Sequence, residues 1–107
     1  MKVMISQPMG EKTDKEIKQT REKAIEKLNA LGCEVLNTFF EDDWCNEVAM
    51  KVRGVTNKPL CFLAASLDSM SLCDAVYFCK GWEEARGCKI EHDTAVAYGL
   101  TVIYEED

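Results

Sequence analysis

Apolar and polar positions along this chain switch between a strand period and a helix period. Lys2-Val3-Met4-Ile5-Ser6 is a short apolar run that reads as a strand. It ends in Gln7-Pro8-Met9-Gly10, a loop marked by proline and glycine. Thr13 or Asp14 then caps a helix, with Glu16 and Ile17 close behind. Ile17, Arg21, Ala24, Ile25, Leu28 and Leu31 share one helical face, lysines and glutamates fill the other, and Gly32 is the stop. Glu34-Val35-Leu36-Asn37-Thr38 predicts a second strand. Leu60, Leu63, Ala64, Leu67, Met70 and Leu72 predict a helix from about Leu60 to Cys73, followed by a buried strand at Ala75-Val76-Tyr77-Phe78-Cys79. The polar segment Lys80 to Gly87 is a loop with two glycines. A helix from about Gly87 to Tyr98 comes next, stopped by Gly99, and Leu100 to Tyr104 is the fourth strand before an acidic tail. Phe39 to Pro59 shows no clear period: Phe39, Phe40 and Trp44 are apolar, Glu41-Asp42-Asp43 acidic, and the stretch from Gly54 to Pro59 looks like a loop.

The resulting order, β-α-β-loop-α-β-α-β, predicts a parallel sheet with right-handed crossovers and helices on both faces. The fold class is α/β: a small Rossmann-like, flavodoxin-like three-layer α/β/α domain with a parallel sheet of four to five strands. A fifth strand, if present, lies within residues 40–58. At 107 residues the chain reads as one domain, residues 1–107, without internal repeats.

Composition narrows the partners. A net charge of −6 argues against a nucleic-acid polymer, whose phosphates need a basic surface, but leaves room for a mononucleotide. No apolar run approaches the roughly 20 residues that span a bilayer, so no membrane partner is expected. The N-terminus turns polar too soon for a signal peptide, which places the protein in a cytoplasm. The six cysteines, Cys33, Cys45, Cys61, Cys73, Cys79 and Cys88, form no C-x-x-C pair and read as free, mostly buried thiols. Cys88 and His92 lie four apart on one helix, but a single histidine and no further ligands nearby imply no metal site, and no cofactor is expected.

In a parallel sheet the loops after the first, second and third strands share one edge, where open α/β folds bind their ligands. Those loops carry Ser6, Gln7, Pro8, Met9, Gly10, Phe40, Gly81, Trp82, Arg86 and Gly87. Glu91, in the first turns of the following helix, shares a face with Cys88, Ala95 and Tyr98, whereas His92 and Asp93 point elsewhere. The helix N-terminus favours an ionised Glu91 near neutral pH. An ionised, partly desolvated carboxylate there suits nucleophilic work on a developing carbocation; equally, Glu91 reads as a first-turn acid that only complements the dipole. Trp82 reads as a base-stacking platform or as a lid or interface residue. Arg86 reads as a phosphate ligand or as a partner of Glu83 or Glu84.

The run Gly87-x3-Glu91-x7-Gly99, preceded by a strand opening at Asp74, resembles the catalytic segment of the nucleoside 2-deoxyribosyltransferase superfamily, which includes the nucleoside 5′-monophosphate N-glycosidases. Ala95 and Ala97 supply its small residues, and Ile5-Ser6-Gln7-Pro8-Met9 is similar to its first-loop motif. With Arg21, Gly81-Trp82 and Arg86-Gly87-Cys88, the chain also resembles short phage and bacterial deoxyribosyltransferase-like proteins of unassigned reaction. The resemblance implies a nucleoside or nucleotide substrate and N-glycosidic bond cleavage or (deoxy)ribosyl transfer. Glu91 would be the catalytic nucleophile and Asp68 an assisting acid, with Asp74 structural. Ser6, Gln7, Pro8, Met9, Gly10, Gly81, Trp82, Arg86 and Gly87 would be the substrate-binding residues, with backbone amides around Gly87 holding a 5′-substituent. It also implies a homo-oligomer, dimer or higher. The chain departs from the pattern at Ala85, where relatives carry Asp or Ser six residues before the glutamate. The alternative is a non-catalytic nucleotide-binding or sequestering accessory protein on the same scaffold; an interaction protein with a vestigial cleft is a third reading.

Overall fold

The structure, a computed structural model, describes residues 1–36 and 46–106. Four parallel strands, β1 (Lys2–Ser6), β2 (Glu34–Leu36), β3 (Ala75–Phe78) and β4 (Thr101–Tyr104), form one sheet in the order β2-β1-β3-β4. Four helices connect them: α1 (Asp14–Ala30), α2 (Glu47–Arg53), α3 (Lys58–Met70) and α4 (Arg86–Ala97). This is the small Rossmann-like three-layer domain that the alternation of strands and helices predicts, with four strands among the described residues. Asn37 and Thr38 of the expected second strand, the loop residue Phe40, Cys45 and residues 40–45 of the stretch offered for a fifth strand lie outside the described residues. The part of 40–58 that is described is helical rather than extended. No helix among the described residues is long and apolar enough to cross a membrane.

The sheet explains its own sequence. β1 and β3 are central and covered on both faces, so they read as unbroken apolar runs and bury nearly every side chain. Alternate residues then serve opposite faces. Val3, Ile5, Ala75, Tyr77 and Cys79 pack with Ala24 and Leu28 of α1. Met4, Val76 and Phe78 pack with Met70 and Cys73 at the end of α3 and Ala95 of α4. Asp74 joins the strands at their start: its carboxylate accepts from the Lys2 amide at 2.9 Å, which gives it the structural part expected of a strand-opening residue.

Helix boundaries follow capping chemistry. Thr13 caps α1 in a capping box, its hydroxyl accepting from the Glu16 amide at 3.1 Å. Leu31, expected on the apolar face, is 64% exposed because it follows the last helical residue and leaves the stripe. α3 begins at Lys58 rather than Leu60. Asn57 accepts from the Leu60 amide at 3.0 Å, and Pro59 sits in the first turn, where a missing N–H costs nothing. α2 escapes the periodicity because only Met50 of its seven residues is buried, yet its ends are marked by the Asn46 cap and the left-handed Gly54. α4 runs from Arg86 and ends where Gly99, at φ 74°, turns the chain toward β4. Trp82–Glu84, inside the expected loop, form one 3-10 turn.

Candidate active site

The strand order reverses direction between β1 and β3, and the loops leaving their carboxyl ends separate there. A cleft of about 940 Å³ opens at this point. Its floor comes from the β1 loop, Ser6 to Gly10, and from Arg21 of α1. One wall is the start of α4, with Ala85, Arg86, Gly87, Cys88 and Glu91. The other wall is α2 and α3, which contribute Asn46, Glu47 and Met50, and the stripe Pro59, Phe62, Leu63 and Ser66. That stripe follows the i, i+3, i+4, i+7 spacing of one helical face.

Glu91 is the chemical centre. It is 8% exposed, and its Oε2 is closed off from solvent without a hydrogen-bond partner. Burial pushes its carboxyl up to about 7, and the Ser6 hydroxyl opposes that shift. The ionised Glu91 expected from the helix N-terminus is therefore corrected: desolvation outweighs the dipole, and both protonation states coexist near neutral pH. Two further buried atoms lack partners, Ser6 Oγ and Gln7 Oε1. Gln7 is held by its Nε2, which donates to the Ile17 carbonyl at 2.6 Å. Three unsatisfied polar atoms in cleft-lining residues are what a site built for a ligand presents. Cys88, also in the wall, is pushed up by burial, so it is a thiol rather than a thiolate at neutral pH.

Positive groups also line the cleft. α4 has no side-chain cap, so its first amides are open to an anion, and Gly87 leaves the approach clear of a Cβ. Arg86 opens the helix at the rim. Arg21 is 6% exposed in the floor; burial pulls its guanidinium down, with Cys79 opposing.

Over residues 1–104 the chain matches the family described as Domain of unknown function (DUF4406). The chain belongs to this family. No curated protein and no solved structure matches it. The DUF4406 description names no reaction, so the chemistry of the site rests on its geometry.

In this DUF4406 chain the expected site residues divide. Ser6, Gln7, Pro8, Met9, Gly10, Arg86, Gly87 and Glu91 all line the cleft. Gly81, Trp82 and Asp68 do not. Gly81 sits behind the β1 loop: at φ 89°, a Cβ there would stand 3.5 Å from Pro8 Cγ. Trp82 is occupied elsewhere, stacked on His92 at 4.2 Å and 20° and packed on Phe78 and Tyr104. His92 Nε2 also meets the Tyr104 hydroxyl at 2.6 Å. Asp68 lies two residues beyond Ser66, about 200° round the helix from the cleft stripe, and is exposed. Tyr98, assigned to the face of Glu91, is 83% exposed because α4 has ended at Ala97. Phe40 lies outside the described residues.

The cleft also holds residues that the sequence reading passed over. Phe62 and Ser66 sit on α3, whose expected buried stripe is corrected: of Leu60, Leu63, Ala64, Leu67, Met70 and Leu72 only Met70 is buried, Leu60 and Leu72 are exposed, Leu63 lines the cleft, and Cys61, Ala65 and Ser69 are buried instead. Asn46, Glu47 and Met50 belong to the unrecognised α2. Arg21 did leave a signal: a lone arginine among the apolar positions of α1.

Proposed function

We propose that the protein binds a nucleoside or nucleotide in this cleft and cleaves or transfers its N-glycosidic bond through Glu91. One observation carries the reading: a nine-tenths buried glutamate with an unpartnered oxygen in the wall of a ligand-sized cleft, near the uncapped N-terminus of its helix. In the ionised form an oxygen of Glu91 attacks the anomeric carbon. The carbon–nitrogen bond breaks, its electron pair leaves with the base, and the base takes a proton from water. A glycosyl ester of Glu91 remains. Water, or a second base, then attacks the same carbon and returns the carboxylate. The α4 amides, Arg86 and Arg21 suit an anionic 5′-substituent. The apolar α3 stripe suits the base.

A second reading, binding without catalysis, draws on the displacement of Asp68. Among the described residues the cleft then holds one buried carboxylate, and the second, Glu47, sits at the rim paired with Lys58 at 2.9 Å. One assay separates the two. A panel of nucleosides and 5′-monophosphates is incubated with the protein and free base is followed by chromatography. Release that falls by about 1,000-fold or more in Glu91→Gln supports the enzyme, on the scale of losing an essential nucleophile. Tight binding without release, unchanged by the substitution, supports the second reading.

We also propose a cytoplasmic homo-oligomer. Exposed Leu72, Val96 and Tyr98, near the ends of α3 and α4 away from the cleft, support self-association. Sedimentation velocity checks it, and a monomer at micromolar concentration contradicts it.

A further inference from the structure

Ser6 was assigned above as a substrate contact, but its surroundings give it a different task. It is 2% exposed at the last position of β1. Its backbone is fixed on both sides: it lies in register with Phe78 of β3, and its carbonyl accepts from the Cys79 amide at 3.0 Å. Only the hydroxyl is free to turn. Ser6, Cys88 and Glu91 line one cleft, the Ser6 hydroxyl opposes the upward push of burial on both the Glu91 carboxyl and the Cys88 thiol, and Oγ closes a well-formed hydrogen bond with neither. Glu91 Oε2 is likewise buried and unpartnered. A hydroxyl carries one proton, so it can serve one acceptor at a time. Once Glu91 is ionised, its carboxylate is the stronger acceptor, because charge-assisted bonds exceed those to a thiol.

We propose that Ser6 is a positioning residue for Glu91: its hydroxyl turns to donate to the Glu91 carboxylate, holding one oxygen still while the other is presented to the cleft. Only the catalytic consequence rests on Glu91 being a nucleophile; the contact itself belongs to the protein alone. The other charged or titratable groups around Glu91 are Arg21 on α1, Glu47 on α2, and Arg86 and Cys88 on α4 itself. Cys88 also feels the Ser6 hydroxyl, but burial keeps it a neutral thiol near neutral pH, so its charge does not change where Glu91 titrates. His92, the next residue, is turned to Trp82 and Tyr104.

The test is the titration of Glu91, followed by carbon-13 NMR of side-chain carboxyls and assigned by the signal lost in Glu91→Gln. Ser6→Ala raises the Glu91 midpoint by about one pH unit, the effect of losing one hydrogen bond to a charged group. Ser6→Thr keeps the hydroxyl and leaves the midpoint near that of the parent. An unchanged midpoint in Ser6→Ala overturns the proposal, and so does an equal shift in both variants, which would mark a packing effect. If Ser6→Ala fails to fold, Ser6→Cys, nearly isosteric but a weak donor, gives the same upward shift. Where base release is measurable, the acid limb of the kcat profile moves with the midpoint and KM changes little. An inactive parent protein with the shift intact would sink the enzyme reading and leave the role of Ser6 standing.

Discussion

At the scale of the residue, Glu91 is where folding and chemistry oppose one another. Its carboxyl is raised from 4.5 to about 7, so the native state holds a proton that the unfolded chain has already released. Stability from this group is therefore complete below about pH 4.5 and is lost as pH rises through 7. Glu91→Gln removes the titration. Its stability relative to the parent should grow by about 2–3 kcal/mol between about pH 5 and pH 8, as read by urea unfolding at each pH. A constant difference across that range would contradict the burial argument. The position of Glu91 was legible in sequence, because a glycine-spaced helix after a buried strand fixes its place. Its ionisation was not, because burial by parts of the chain distant in sequence sets the desolvation, and no local pattern reports that.

At the scale of the element, α3 carries two faces. Cys61 and Ala65 bury against Met50 and Val55, while Pro59, Phe62, Leu63 and Ser66 line the cleft. Phe62 is 44% exposed and is the cleft's aromatic side chain among the described residues, the part first given to Trp82. Phe62→Ala should weaken a nucleoside 5′-monophosphate by about 10-fold or more, the scale of one base–aromatic stack, and leave ribose 5-phosphate unaffected in calorimetric titration. Trp82→Ala should do the reverse. Ligand affinity holds, while the loss of contacts to His92, Phe78 and Tyr104 lowers unfolding stability by about 2–3 kcal/mol. The reason Trp82 misled is physical: a tryptophan in a loop at the ligand edge has two places to go. Here the neighbouring edge of β4 offers Tyr104, and α4 offers His92. α2 hid for another reason. Val48 and Val52 are exposed, so its apolar residues trace no buried stripe.

At the scale of the whole molecule, the sheet order β2-β1-β3-β4 does most of the functional placement. It brings the β1 loop and the start of α4 to one cleft, although Gly10 and Glu91 lie 81 positions apart in sequence. That much followed from strands alternating with helices, since parallel strands must send their loops to a common edge. What did not follow was the second wall, because α2 comes from the stretch without a clear period and the cleft face of α3 is not the stripe its leucines trace. Membership of the DUF4406 family spans residues 1–104, so the cleft and its carboxylate belong to the family-matched region in full. The most direct measurement is intact and peptide mass spectrometry of the protein quenched in acid during incubation with a nucleoside or its 5′-monophosphate. The account predicts one glycosyl group added to the peptide containing Glu91, and none in Glu91→Gln. Base release that persists unchanged in Glu91→Gln, or neither adduct nor release with any substrate, would contradict it.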